Sequence, residues 1–337
     1  MAIAYSKCRL LPWLLALTAL FLPLFRGELR SGLSLDAQAS RLGFLESTPV
    51  RPRTSAVLRV ALVADTHCTR SPVGDRPKYR ERFDRVIRDV NAANVDVVLV
   101  AGDLTNGGEV AQMRDFRAQA RGFRAPIIVV PGNRDVGNRV GLSPRGQVSE
   151  ARVAQYEHEM GPSFFVRKIA GLRVIGVNAS LLGSALKPER RQWTFLEKAL
   201  AAPARAPTVI LLHYPLFMSS PDEGDSPRSV VDPASRQRLI RLAAKGGVEA
   251  IFSGHLHRTI EQRRGRVLFV TGPAVAYGSA RDSRCQAWTL LTRGPDGTWT
   301  VEFRYVTDHR PAAARLPWKG RETGDGGASS RLSGSLA

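Results

Sequence analysis

The chain has 337 residues, 43% hydrophobic and 23% charged, which excludes a disordered polymer and supplies enough length for one large domain or two smaller ones. Lys and Arg number 49 against 30 Asp and Glu, a net charge of +19 spread along the whole sequence, which argues for a basic solvated surface over a dedicated nucleic-acid groove. Three cysteines, Cys8, Cys68 and Cys285, are too few and scattered for a disulfide framework or a thiolate zinc site, although an exported domain could still join Cys68 to Cys285.

Lys7 and Arg9 precede residues 10–25, an uncharged stretch dominated by Leu. As a helix it would span roughly 24 Å, short for a bilayer crossing but sufficient for a signal-peptide core or a marginal anchor. Residues 1–54 are therefore read as signal peptide or membrane anchor plus linker, and the protein as exported or membrane-tethered. A catalytic domain is expected over residues 55–308. Residues 309–337, rich in Gly, Ser, Arg and Ala without a period, are expected to be a disordered tail.

From Val57 the pattern is strand, polar turn, helix, repeated. Phe83, Val86, Ile87 and Val90 form one apolar stripe of a helix over residues 81–91, and the near-continuous apolar run 95–100 suits a strand buried on both faces. Val110, Met113 and Phe116 predict a second helix before a strand at 127–130; a helical stretch at 149–160 and a strand at 172–178 follow. Trp193, Leu196 and Leu200 mark another helix, and a strand is predicted at 208–212. Asp232 and Pro233 read as N-cap and first residue of a helix that Gly246 stops. Strands are predicted at 248–252, 267–270 and 287–292, and strict alternation over 298–305 predicts a final strand with one buried face.

Five of these strands end in chemistry-bearing residues: Asp65 and His67, Asp103, Asn133 with Arg134 and Asp135, His213, and His255 with His257. In open α/β sheets, ligands bind beyond the carboxyl ends of the strands. Four of the six histidines join Asp65, Asp103 and the Asn133 amide here, more donors than one mononuclear site needs. Mixed imidazole, carboxylate and amide donors suit Mn, Fe or Zn better than Mg or Ca.

In order, the turns read Asp65-Thr66-His67, Gly102-Asp103, Gly132-Asn133-Arg134-Asp135, His213 and Gly254-His255-Leu256-His257. This series resembles the D-x-H, G-D, G-N-H-[DE], H and G-H-x-H motifs of the calcineurin-like metallophosphoesterase superfamily over about residues 57–308. The resemblance implies an α/β fold, a four-layer α/β/β/α sandwich of two mixed sheets flanked by helices. It also implies two divalent metal ions, with Asp65, His67 and His257 on one, Asn133, His213 and His255 on the other, and Asp103 bridging. Two ions roughly 3.5–4 Å apart polarise a phosphoryl oxygen and activate a bridging water, so the implied function is hydrolysis of a phosphodiester or pyrophosphate-type small substrate by a metal-bridging hydroxide. Leu104-Thr105-Asn106 contains no tyrosine, so the purple charge-transfer site of purple acid phosphatases is not expected.

Arg134 stands where the motif has histidine. A guanidinium grips phosphate oxygens but stays protonated, so it cannot supply a proton to the leaving group. The catalytic set is therefore read as Asn133, Arg134 and Asp135, the last as an orienting partner. Gly-Asn-Arg-Asp also resembles the UDP-diacylglucosamine pyrophosphatases, whose compact form lacks this chain's long second half. The alternatives are a catalytically impaired interaction module, to which the retromer subunit of the superfamily is similar, and a nuclease, which the +19 charge keeps open. Loops 69–80, with Arg70, Lys78 and Arg80, and 137–148, with Arg139 and Arg145, are expected to rim the pocket.

Overall fold

A computed structural model describes residues 57–141, 146–280 and 283–306. The predicted signal peptide or anchor and the predicted tail lie outside these residues. No helix among the described residues is long and apolar enough to cross a membrane.

The first half runs β1 (Leu58–Val63), α1 (Lys78–Ala93), β2 (Val97–Ala101), α2 (Val110–Ala120), β3 (Ile127–Val130), a helical turn α3 (Asn133–Val136) and α4 (Glu150–Met160). The second half runs β4 (Phe165–Ile169), β5 (Leu172–Gly176), α5 (Lys187–Ala199), β6 (Thr208–Leu211), α6 (Pro233–Lys245), β7 (Val248–Ser253), β8 (Ile260–Arg264), β9 (Val267–Thr271), β10 (Ala287–Arg293) and β11 (Trp299–Tyr305). The helix termini follow local chemistry. Ser149 accepts from the Arg152 amide at the start of α4, and Asp232 accepts from the Ser235 amide at the start of α6, ahead of Pro233.

Two mixed sheets form. One has the order β11-β10-β1-β2-β3 and the other β4-β5-β6-β7-β9-β8. In the first, β1, β2 and β3 are parallel, whereas β10 runs antiparallel to β1. In the second, β5, β6, β7 and β9 are parallel, with β4 and β8 antiparallel at the edges. Alternation along each strand then divides the core into layers. Val60, Leu62, Leu99 and Val130 meet Val174, Leu211, Phe252 and Val270 between the sheets. Ala61, Val63, Val98 and Val100 face Phe83, Val86, Met113 and Phe116 on the helices of one outer layer. Ile175, Ile210 and Ile251 face Trp193, Leu196 and Leu239 on the other. The arrangement is the four-layer α/β/β/α sandwich of two mixed sheets implied by the motifs.

Two strands carried no readable signal. β4 (FVRKI) and β8 (IEQRR) are edge strands whose charged residues break any apolar period, and charge is what protects an open edge from mispairing. Each is recruited by a tight hairpin. The β4–β5 turn is Ala170-Gly171, with both residues at positive φ, as a two-residue turn of the primed type requires. Cys68 and Cys285 are free thiols, the first buried and the second half-buried.

Candidate metal centre

The parallel strands deliver all five motifs to one edge. Beyond β1 and β2 the pairing continues as a ladder of turns: Asp65 donates its amide to Gly102 O (3.1 Å), His67 to Asp103 O (2.9 Å) and Cys68 to Leu104 O (2.9 Å). Gly254 N donates to His213 O at 3.0 Å and joins the β6 and β7 ends in the same way. Asp65, His67, Asp103, His255 and His257 all adopt left-handed φ, between 45° and 74°. For non-glycine residues this conformation is costly and is retained where the surroundings over-determine it. Here it folds the side chains back over the ends of the sheets.

Two groups of donors result, one of Asp65, His67 and His257 and one of Asp103, His213 and His255. In the first, His67 Nε2 lies 3.3 Å from His257 Nε2, and Asp65 Oδ1 lies 3.3 Å from His257 Nε2. In the second, His213 Nε2 lies 3.0 Å from Asn133 Oδ1 and 3.1 Å from His255 Nδ1. Asp103 stands between them, with Oδ2 3.6 Å from His67 Nε2 and Oδ1 3.3 Å from His213 Nε2. The geometry therefore brings together all seven residues expected to hold metal.

Backbone carbonyls set the tautomers. His213 Nδ1 faces Ala101 O, His255 Nε2 faces Arg228 O and His257 Nδ1 faces Tyr277 O, each at 2.7 Å. A ring nitrogen facing a carbonyl must carry the proton, so in each neutral ring the lone pair is on the nitrogen that points into the site. Asn138 does the same for the amide: it accepts from Asn133 Nδ2 at 3.0 Å, which turns Asn133 Oδ1 inward. Buried Asp65 Oδ1 has no hydrogen-bond partner. Donor atoms therefore converge on donor atoms, an arrangement that protons on His213 and His257 or metal cations between the groups reconcile. The donors fit two cations sharing Asp103.

The electrostatics agree. Burial opposes ionisation of Asp65 and Asp103, yet the facing histidines hold both below the ordinary carboxylate range. Burial brings His67 and His255 down to about 4, so both are neutral donors. His213 is also disfavoured as a cation by burial, but the Asp103 and Asp65 charges lift it to about 9. Without metal it takes a proton, and metal binding there must release it.

The third motif divides its labour. The Arg134 amide donates to Asp103 Oδ1 at 2.7 Å, and its exposed side chain lines a cleft of about 460 Å3 with Asn133, Asn138, Arg152, Arg228 and His255. Asp135 is buried and accepts from four donors: the amides of Gly132 (2.8 Å), Leu104 (3.1 Å) and Thr105 (2.9 Å), and Thr105 Oγ1 (2.7 Å). It orients the second and third motif turns rather than touching reacting atoms. Burial and the Asp103 charge push it up to about 6, against those four hydrogen bonds. In Asp135→Asn an amide NH2 would face N–H donors, and a loss of about 2–3 kcal/mol is expected in urea unfolding of the metal-free protein. An unchanged midpoint would remove this role.

The expected rim holds in part: loop 137–148 lines the cleft through Asn138 and Gly146, but not through the basic residue expected there among the described residues. Arg139 is buried and paired with Asp225 at 2.8 Å, and Arg70 pairs with Asp115 at 2.6 Å. Neither they nor Lys78 and Arg80 line the cleft, and Arg145 lies outside the described residues. Among the described residues the cleft arginines besides Arg134 are Arg152 and Arg228, which no motif marks. Sequence reading also missed Asn138 and Tyr277, whose ring packs 4.3 Å from His257 and 4.8 Å from His67. A carbonyl or an amide that orients a ligand has no sequence signature, because its role depends on where the chain passes.

Residues 58–259 match the calcineurin-like phosphoesterase family, more than half of the chain, and the protein belongs to that family. It is 30% identical over 155 residues to the serine/threonine-protein phosphatase CPPED1 of Danio rerio, covering 44% of this chain and 47% of that one. It is 26% identical over 280 residues to a cAMP/cGMP dual specificity phosphodiesterase of Mycobacterium tuberculosis, covering 77% and 80%. The fold is shared with a purple acid phosphatase from yellow lupin seeds, at a TM-score of 0.56, 19% identity and coverage of 77% and 53%. The chain thus spans about half the length of some of its relatives and four fifths of others.

Proposed function

We propose that this protein is a dinuclear metal-dependent phosphoester hydrolase acting on a small phosphodiester or pyrophosphate-type substrate, with Mn, Fe or Zn as the metals. The observation that carries the reading is the convergence of metal-type donor atoms on two positions joined by Asp103. Two divalent ions there would polarise the phosphoryl group and lower the pKa of water. Asp65, His67 and His257 would hold one ion, Asn133, His213 and His255 the other. Arg134, whose guanidinium lines the cleft, would grip the phosphoryl oxygens and offset charge in the transition state. The phosphodiesterase among the relatives supports a diester over a monoester. The test is metal analysis after reconstitution with each ion, followed by a panel of aryl mono-, di- and pyrophosphoesters. Metal-dependent hydrolysis that favours diesters is expected; less than about one equivalent of metal and no turnover would favour the interaction module instead.

Arg134 refines the substrate. A residue that cannot donate a proton suits a leaving group already stable as an anion. In Arg134→His, aryl phosphodiesters with poor leaving groups should gain at least about 10-fold relative to those with good ones, because general acid catalysis becomes available. Equal dependence on leaving-group pKa in both proteins would sink the idea.

Lys7, Arg9 and apolar residues 10–25 support export or membrane tethering. Fractionation of cells expressing the full chain checks this, and recovery wholly in the cytosol counts against it.

A further inference from the structure

The cleft beside the metal centre holds more positive charge than one phosphoryl group requires. It opens on the Asn133 and His255 side, and three exposed guanidinium groups line it, those of Arg134, Arg152 and Arg228. Among the described residues no Asp or Glu lines it, and none of the three side chains has an ion-pair partner. Elsewhere many arginines are neutralised: Arg70 by Asp115, Arg139 by Asp225 at 2.8 Å, Arg293 by Glu249 at 2.8 Å. Self-repulsion among three like charges in one concavity is unfavourable unless an anion relieves it.

The backbone that carries these arginines is pinned. Arg228 O accepts from His255 Nε2, which ties this loop to a predicted metal ligand. On either side, Arg139 binds Asp225 through two hydrogen bonds of 2.8 and 3.0 Å and Val230 O through a third of 2.8 Å. Ser229 N closes onto Ser226 O at 2.8 Å. Arg152 sits in the first turn of α4, its amide held by the Ser149 hydroxyl at 3.3 Å. The two guanidinium groups are thus presented to the cleft from fixed backbone while their own donors stay available, which lowers the ordering cost of binding.

We infer that Arg152 and Arg228 form a second anion subsite, so that the substrate is a phosphoester carrying another phosphate a few atoms from the scissile one. Arg134 grips the phosphoryl group at the metals, and Arg152 and Arg228 take the distal phosphate with charge-assisted, bidentate geometry. A cyclic nucleotide, with a single phosphodiester, would leave both unused. The inference rests on the phosphoesterase reading of the metal centre, and its test separates the two.

Full-length, zinc-reconstituted protein is titrated calorimetrically with 3-hydroxypropyl phosphate and with propane-1,3-diyl bisphosphate at fixed ionic strength. The bisphosphate is expected to bind at least about 10-fold more tightly, and this ratio should fall to about one in the double variant Arg152→Gln/Arg228→Gln. Arg121→Gln, which removes an exposed charge beyond α2, should keep the wild-type ratio. A wild-type ratio near one, or a ratio that survives the double variant, overturns the inference. Hydrolysis of diesters with no such discrimination overturns the inference and leaves the phosphoesterase standing. Discrimination with no turnover of any ester upholds the subsite and removes the phosphoesterase.

Discussion

Asp103→Asn is expected to lower kcat/KM for any phosphoester at least about 10^3-fold, because both halves of the centre lose a shared anionic donor. The carboxylate is buried, with one oxygen toward His67 and the other toward His213, and it anchors the Arg134 amide. Asparagine would keep the shape but would supply no negative charge to offset two bound cations. Metal content should fall below two equivalents. A second readout separates lost metal from damaged fold: the rise in Tm on adding metal should shrink sharply, since ligand-linked stabilisation follows affinity for the native state. Two bound ions and near-wild-type turnover in the variant would refute the bridging role.

Gly132→Ala acts on a different link, backbone packing. Its φ of −103° is open to any residue, so the requirement for glycine is steric. A Cβ there would overlap the backbone nitrogen and carboxylate of Asp103, while the Gly132 amide must stay on Asp135 Oδ2. Neither neighbour can yield without displacing the second motif. The metal-free protein should lose at least about 3 kcal/mol, or about 6–12 °C in Tm for a domain of this size. The contrast is diagnostic. Gly132→Ala should lower the Tm measured in chelator, whereas Asp103→Asn should act mainly on the increment that metal provides. A Gly132→Ala protein with unchanged Tm would show that the turn has more room than the structure gives it.

Much of this centre was legible because its signals are local. Each candidate ligand lies within a few residues of the end of a buried strand, so an apolar run followed by Asp, His or Asn marks both the element and the turn that carries the side chain. Parallel strands covered by helices put those ends on one edge, and the cap at Asp232 fixed one helix start to the residue. What stayed hidden is relational. Edge strands β4 and β8 form because a neighbour offers a ladder, whatever their composition. Arg139 and Arg228 are both arginines of surface loops by sequence; one is buried against Asp225 and the other faces the cleft.

By itself the sequence determined the alternation of buried strands and amphipathic helices and the order of the five motifs, whose resemblance to a known family implied the layering, since periodicity and turn chemistry act within a few residues. Only the tertiary structure decided which nitrogen of each histidine faces the site, which way Asn133 turns and which arginines reach the cleft. Those outcomes depend on carbonyls and side chains contributed from distant parts of the chain, Ala101 to His213, Tyr277 to His257 and Asn138 to Asn133, and on charge compensation that becomes visible only when the layers close.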